Sequence, residues 1–238
     1  MKKWSIHTVL MGLTCLLVWS CSDMNSLHDP YLQGGETTYL TKFDSISLHP
    51  GRGRVMVEYW AHDPKGKKCL VEWDLGQSSK VVDISLTDED TPQTFILEDL
   101  NETTISFDFT VCSEDMKYRS LKYSSTVTVY GDRYESTLMN ATVTSPSYDA
   151  GTQEFTFKWS SNYQNVVGYM IRYQVNTGEL RELREEVTDT RMVVLSDFPQ
   201  NGSFEYATVY KPSEGAIDEF MTPYEKYDPA VESAKYAE

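Results

Sequence analysis

The stretch TISFDFTVC, residues Thr104–Cys112, alternates between polar and apolar side chains from its first residue to Val111. A period of two is typical of a β-strand that buries one face and leaves the other in water. The stretch GSFEYATVY, residues Gly202–Tyr210, parallels it after about one hundred residues, a spacing that favours two copies of a domain over a solenoid. The sequence therefore predicts one β domain that occurs twice.

Shorter strands surround these two stretches in the same order in each copy. RVMVEYW and CLVEW precede the first stretch, and EFTFKW and YMIRY precede the second. Leu195 and Phe198 also stand in the second copy where Leu97 and Leu100 stand in the first. Turn-forming runs such as PGRG and HDPKGKK separate the strands. About seven short strands in each copy, with no convincing helix, indicate a β-sandwich.

These patterns divide the chain into five predicted parts. The parts are a signal peptide (1–20), a lipidated cysteine with a tether (21–39), β-sandwich domain 1 (40–130), β-sandwich domain 2 (131–228) and a polar tail (229–238). The segment YGDRYES, residues 130–136, is predicted to be the hinge between the two domains.

The first part depends on the stretch LLVWSCSDMN, residues 16–25, where an apolar run stops at Cys21. The run is too short to span a bilayer and follows Lys2 and Lys3, as in a signal peptide. An apolar residue, a small residue and then cysteine resemble the lipobox of bacterial lipoproteins, which implies a lipid on Cys21 and membrane attachment through it. A plain secretory signal and an uncleaved anchor are the alternatives.

The net charge and the cysteines limit the function further. The formal net charge is −15, and loss of Lys2 and Lys3 with a signal peptide would make it more negative, which argues against nucleic-acid binding. Cys69 and Cys112 could form a disulfide in an oxidising compartment. Alternation places Cys69 inward and Cys112 outward, so two free thiols are favoured.

No stretch of the sequence indicates an enzyme or a cofactor. The chain contains no G-x-S-x-G, phosphate loop or H-E-x-x-H, and the three histidines after residue 20 lie in the tether and in turns. A carboxylate pair for glycoside hydrolysis could still hide among the many acidic residues. LTDEDT, residues 86–91, could bind calcium but lacks the spacing of a calcium loop, so a solvated turn is favoured. We expect no metal, no cofactor and no catalysis.

Trp60 is the candidate ligand contact. Tyr59 aligns with Trp159 and faces inward, so Trp60 faces outward, where the second copy has Ser160. A flat exposed aromatic ring suits a sugar face or a protein interface. Packing against the second domain or a turn is the alternative, and Tyr123, Tyr130, Tyr148 and Tyr163 could extend an aromatic platform.

Two family resemblances follow from these residues. The aromatic second and third strands and the L-x-x-L turn before the sixth strand resemble fibronectin type III and immunoglobulin-like modules, which implies two tandem fibronectin type III-like β-sandwiches. FDSISLHPGRGRVMVEYW, STVTVYGDRYESTLMNATV and YATVYKPSEGAIDEFMTPY together resemble a Bacteroidota lipoprotein family, domain of unknown function 4998. That resemblance implies an envelope or cell-surface protein of the kind commonly connected with glycan uptake.

We therefore expect a lipid-anchored, non-catalytic protein of the outer membrane or cell surface. The leading function is a binding or accessory component of a glycan-acquisition system, which would hold a polysaccharide or an outer-membrane transport protein. The alternative is a structural spacer or protein-interaction module with no small ligand. An exposed aromatic platform around Trp60 would favour binding, whereas burial of Trp60 between the domains would favour the spacer.

Overall fold

The computed structural model describes residues 39–87, 91–160 and 164–231. The predicted signal peptide, Cys21 and nearly all of the tether lie outside the described residues, as do Tyr163 and residues 88–90 of LTDEDT. One compact unit begins at Leu40 and includes both halves of the β structure. The predicted boundaries between its two domains stay predictions.

Seven strands of the first half lie within the described residues. They are β1 (Ser45–Pro50), β2 (Val55–Trp60), β3 (Lys68–Trp73), β4 (Ser78–Asp83), β5 (Gln93–Leu97), β6 (Thr104–Cys112) and β7 (Tyr123–Thr128). They form two antiparallel sheets, one in the order β1-β2-β5 and the other in the order β4-β3-β6-β7. Side chains from both sheets, among them Val57 of β2 and Phe107 of β6, make one core between them. This half is a β-sandwich.

The second half repeats this arrangement. Its strands are β8 (Val143–Asp149), β9 (Glu154–Trp159), β10 (Val166–Gln174), β11 (Leu180–Glu186), β12 (Met192–Leu195), β13 (Phe204–Tyr210), β14 (Phe220–Met221) and β15 (Glu225–Tyr227). The sheets run in the orders β12-β9-β8 and β11-β10-β13-β14, and β15 also pairs with β13. β14 and β15 thus share the place that β7 holds in the first half. The all-β class and the fibronectin type III-like sandwich are confirmed.

The alternation in the sequence explains the two cores. Ile105, Phe107, Phe109 and Val111 of β6 are all buried, as predicted. In the second sandwich, Phe155 and Phe157 pack with Trp159, Phe198 and Phe204 into a chain of aromatic contacts. Strands that alternate in this way bury one face against the opposite sheet, and that burial stabilises the fold.

Cys112 lies on the outer face, as alternation predicts, but it is not exposed there, because it is fully buried. The segment after β6 turns back over the strand, and Arg119 forms a bridge with Cys112 while Ser120 N donates to Val111 O at 2.8 Å. This return covers the end of the outer face, so alternation alone did not predict the burial. Cys69 and Cys112 are both free thiols in the structure.

The hinge contains a helical turn that the sequence pattern did not predict. Helix α1 (Asp132–Ser136) follows Gly131, and its first amides are capped from elsewhere in the chain. Glu102 Oε2 accepts from Arg133 N at 2.8 Å, and Glu102 Oε1 accepts from Tyr134 N. A carboxylate at a helix N-terminus stabilises the unpaired amides there.

The strand registers fix which end of each sandwich faces the other. Ser45 pairs with Trp60 at one end of the first sandwich, and Pro50 pairs with Val55 at the other. Leu40, where the compact unit begins, bridges Ser120 at the Trp60 end. The second sandwich meets the first at the Pro50 end, because the hydrogen bond from Ile217 N reaches Pro50 O at 2.8 Å.

Candidate functional site: the junction between the sandwiches

Three separate segments meet where the two sandwiches join. They are residues 50–54 between β1 and β2, residues 130–137 around α1, and residues 213–220 before and into β14, and we call them together the junction. Backbone bonds connect them, since Gly53 N donates to Tyr130 O at 2.9 Å and Ile217 N donates to Pro50 O at 2.8 Å. The junction therefore links the first sandwich to both the hinge and the second sandwich.

Arg54 and Asp218 form the most completely bonded pair in the junction. Arg54 Nη2 donates to Asp218 Oδ1 at 2.5 Å, and Arg54 Nε donates to Asp218 Oδ2 at 2.9 Å. Asp218 Oδ2 also accepts from the backbone N of Arg52 at 2.8 Å. The hydrogen bonds from Arg54 hold the pKa of the Asp218 carboxyl below its ordinary value, although partial burial opposes them. A two-point bond to a planar guanidinium fixes orientation as well as distance.

Arg52 makes a second connection, to the hinge. Its guanidinium donates to Asp132 Oδ1 at 2.8 Å and to Glu135 Oε1 at 2.6 Å. The same guanidinium lies over the Phe220 ring, with Cζ 4.5 Å from the ring centroid. The bond from Arg52 holds the pKa of Glu135 below its ordinary value. One side chain of the first sandwich thus contacts both other segments of the junction.

An aromatic cluster fills the space under Arg52. The rings of Tyr130, Tyr134 and Phe220 contact one another edge to face, with centroids 4.9 to 6.3 Å apart. Phe220 is fully buried, so the centre of the cluster is shielded from water. Edge-to-face aromatic pairs favour one relative orientation of the rings. The cluster therefore adds apolar packing to the ion pairs.

Gly51 is required at its position by a close approach. A β-carbon at Gly51 would collide with Asp218 Oδ2 and would lie 2.8 Å from the Ile217 side chain. His49 also lies at this contact, with Nδ1 3.2 Å from Gly215 O. The backbone of the first sandwich is thus in direct contact with the second.

The chemistry of the junction is that of a fixed joint. Its carboxylates Asp132, Glu135 and Asp218 all accept hydrogen bonds from arginines, so they are occupied as ion-pair partners. Across the described part of the chain, no group of three or more His, Cys, Asp or Glu side chains could hold a metal ion. None of the helices in that part is both long enough and apolar enough to span a membrane.

Trp60, the predicted ligand contact, lies away from the junction. It is half-buried on the outer face of the β1-β2-β5 sheet, opposite Ser45, at the end of the first sandwich where the compact unit begins. It is therefore not covered by the second sandwich. Its role in binding stays a prediction, as does that of Cys21.

The tyrosines named above as an extension of an aromatic platform around Trp60 do not gather there. Tyr123 packs against the first core, Tyr148 packs against the second, and Tyr130 lies in the junction. The described tyrosines of that set therefore form no shared surface with Trp60.

The junction residues were not predicted as a site from the sequence. A signal was nevertheless present, because the segments of the junction lie inside the three stretches that carry the family resemblance: PGRGR in the first, YGDRYES in the second and SEGAIDEF in the third. In the structure these segments contact one another across the junction.

Comparison with known proteins gives one family. The model of a family described as a domain of unknown function, number 4998, matches residues 21–220. No curated protein matches the chain.

Two similar solved structures are both from chicken. The FN1–FN3 domains of CNTN1 are 11% identical, with 81% of this chain and 68% of that chain covered and a TM-score of 0.40. A segment of two fibronectin type-III domains from tenascin is 11% identical, with 80% of this chain and 98% of that chain covered and a TM-score of 0.29.

Proposed function

Because this chain belongs to the family described as domain of unknown function 4998, we propose that it is a non-catalytic interaction module of the cell envelope that works as a rigid arm. In this proposal a lipid on Cys21 attaches the chain to the outer membrane or cell surface. The first sandwich then stands next to the membrane, and the second is carried away from it. Partner proteins or polysaccharides would be held at that distance.

The observation that carries the proposal is the double connection made by Arg52 and Arg54. These two side chains of one strand connection bind the hinge and the second sandwich at once. Two modules joined only by a flexible linker would rotate freely, which is the usual expectation for adjacent domains. Ion pairs, an aromatic cluster and direct backbone contact at one joint support a fixed orientation instead.

The direction of the chain supports the arm. The compact unit begins at the end of the first sandwich opposite the junction, so in this proposal a membrane anchor before residue 40 is connected to the chain at that end. Strands of six or seven residues make each sandwich about 20–25 Å long. The far end of the second sandwich would then be the part most accessible to partners outside the membrane.

A test of the arm measures how far that far end stands from the membrane. The full chain, with its lipid, is placed in vesicles that contain an acceptor dye, and a donor is attached at Thr177→Cys in the exposed turn between β10 and β11. Cys69 should not compete for the label, because burial raises the pKa of its thiol to about 12 and the thiolate is the reactive form.

The matched control places the donor at Lys65→Cys, in the turn at the membrane end of the first sandwich. We expect much weaker energy transfer from residue 177 than from residue 65. Equal transfer from both positions would mean that the chain lies along the membrane or bends freely, and the arm would be rejected.

A contact at Trp60 with a glycan is the second candidate function. The observation that favours it is that Trp60 is partly exposed on an outer sheet face and not covered by the second sandwich. A glycan array probed with the wild-type protein and with Trp60→Ala tests this role. Binding that is lost in the variant would support the contact, whereas binding by both proteins would remove Trp60 from the site.

A further inference from the structure

A polar cavity opens at the far end of the second sandwich, on the sheet that contains β10 and β13. Its volume is about 500 Å³. All four strands of the sheet at that end contribute to it, through Arg172 and Gln174 of β10, Leu180 of β11, Glu205 of β13 and Lys226 of β15. Ligand sites on proteins commonly fall in roughly this range of volume. The cavity is large enough for a small ligand or for the end of a longer one.

The loop before β13 supplies polar side chains to the same cavity. Gly202 allows this loop to turn tightly over the core, because a β-carbon there would lie 3.0 Å from the Phe198 ring. Asn201 and Ser203 on either side of it line the cavity together with Gln174. Among the described residues, the side chains of these three make no hydrogen bond. Three unpaired amide or hydroxyl groups around one cavity are available to a ligand.

Two cations face the cavity beside one carboxylate. Register places Glu205 between Arg172 and Lys226 on neighbouring strands, so the three side chains form a row on one face. Arg172 uses Nε to donate to Glu205 at 2.6 Å, and this leaves its two terminal nitrogens without a described acceptor. The nearest described carboxylate oxygen to the Lys226 ammonium belongs to Asp228, at 4.0 Å.

The other two arginines of this sheet, Arg181 and Arg184, donate from their terminal nitrogens to carboxylates, whereas Arg172 at the cavity does not. Arg184 donates to both oxygens of Glu219 at 2.8 and 2.9 Å and also bonds Glu186. Arg181 pairs with Asp197 at 3.0 Å. On this face, Arg172 and Lys226 thus keep donors without a close acceptor, and the Arg172 guanidinium also lies over the Tyr224 ring, with Cζ 3.9 Å from the ring centroid. In a chain whose net charge is −15, the lining of this cavity has two cationic side chains and one carboxylate.

We infer that this cavity binds a carboxylate-bearing saccharide. The carboxylate of the ligand accepts from the terminal nitrogens of Arg172 and from the ammonium of Lys226 on the solvent side of Glu205, and the hydroxyls of the ligand bond Gln174, Asn201 and Ser203. Amide and hydroxyl groups both donate and accept, as the hydroxyls of a sugar require. The cavity lies on the face of the sheet and not along an edge, so an extended peptide could not be bound there as an added strand.

The inference goes beyond the rigid arm and does not depend on it, because binding in solution is independent of the angle between the sandwiches. The probes are trigalacturonate, the neutral trisaccharide maltotriose and a triglutamate peptide, each titrated into the full chain by calorimetry. The variants are Lys226→Gln and, as the matched control, Lys158→Gln on the opposite sheet of the same sandwich. Both lysines are exposed, so neither change should disturb the fold.

We expect trigalacturonate to bind at least about tenfold more tightly than maltotriose, and Lys226→Gln to remove about tenfold of that affinity. Lys158→Gln should leave it unchanged, and added salt should weaken it. Three results would overturn the inference: no saturable binding of trigalacturonate, equal loss in the two variants, or triglutamate binding as tightly as the saccharide.

Discussion

Replacement of Asp218 by alanine is the most informative change to the junction. The carboxylate accepts three hydrogen bonds, two from the Arg54 guanidinium and one from the backbone N of Arg52. Its side chain is 19% exposed, so water can replace these bonds only in part. The variant leaves a backbone amide and a guanidinium without their acceptor, and no other described carboxylate bonds to Arg54.

The size of the effect follows from the partial burial. A hydrogen bond to a charged group contributes about 1.5–3 kcal/mol when it is well shielded, and much less in water. With three bonds to Asp218, of which the guanidinium bonds are partly solvated, we expect Asp218→Ala to lower the free energy of unfolding by about 2 kcal/mol. Most of that loss should fall on the coupling between the sandwiches and not on either core.

Urea unfolding followed by tryptophan fluorescence measures this loss. We expect the wild-type protein to unfold in one transition and Asp218→Ala to unfold earlier, with the two sandwiches beginning to separate into two steps. Glu186→Ala is the control, because Glu186 pairs with Arg184 at 2.8 Å inside the second sandwich and is well exposed. If both variants shift the midpoint equally, the junction has no special role and the reasoning is refuted.

Three further predictions follow from the junction and from the anchor. The pKa values of Asp218 and Glu135 are lowered by their arginine partners, so the stabilisation from these carboxylates should be complete above about pH 5. It should be lost as the pH falls below about 4, toward the lowered pKa values of the folded state. Acid titration of inter-sandwich mobility checks this, and the same loss in Asp218→Ala would contradict the contribution of Asp218. Gly51→Ala should loosen the joint and lower the melting temperature, because its methyl group collides with Asp218. Gly151→Ala should have little effect, because its β-carbon would meet only the flexible Asp149 carboxylate at 3.2 Å. Equal melting temperatures of the two variants would contradict the close approach at Gly51. Cys21→Ser should release the protein from the membrane fraction of cells, since the proposed lipid needs the sulfur; a variant that stays in the membrane fraction would mean another anchor.

Much of the fold could be predicted because its signals are local. The alternation in Thr104–Cys112 and Gly202–Tyr210 depends on neighbouring residues only, and both strands bury the predicted faces. Leu97, Leu100, Leu195 and Phe198 are all buried in equivalent places, so the internal repeat was also a reliable guide. Period and repeat are properties that a single sequence shows directly.

The parts that were missed depend on contacts between distant residues. Helix α1 has its cap on Glu102, about thirty residues before it, so no local capping pattern announces it. Cys112 is buried because the chain returns over it at Arg119. Asp218 reaches Arg54 from more than 160 residues away. Alternation cannot indicate such partners, since it reports only which way a side chain points from its own strand.

The same limit applies to the candidate sites. Trp60 could be predicted to face outward, because that follows from its place beside the buried Tyr59. What covers an outward residue cannot be read from its strand. The cavity at the far end of the second sandwich collects residues from four strands and one loop, and only the registers of β10, β13 and β15 bring Arg172 and Lys226 to the same cavity.

The distance between the two sandwiches tests the rigid junction most directly. Spin labels are attached at Lys80→Cys in the first sandwich and at Lys158→Cys in the second, which are both exposed strand positions. Pulsed electron paramagnetic resonance then measures the distance between the two labels in the full chain. We predict one narrow distribution for the wild-type junction and a clearly broader one for Asp218→Ala. A broad distribution with the junction intact would contradict a fixed joint, and the arm would have to be abandoned.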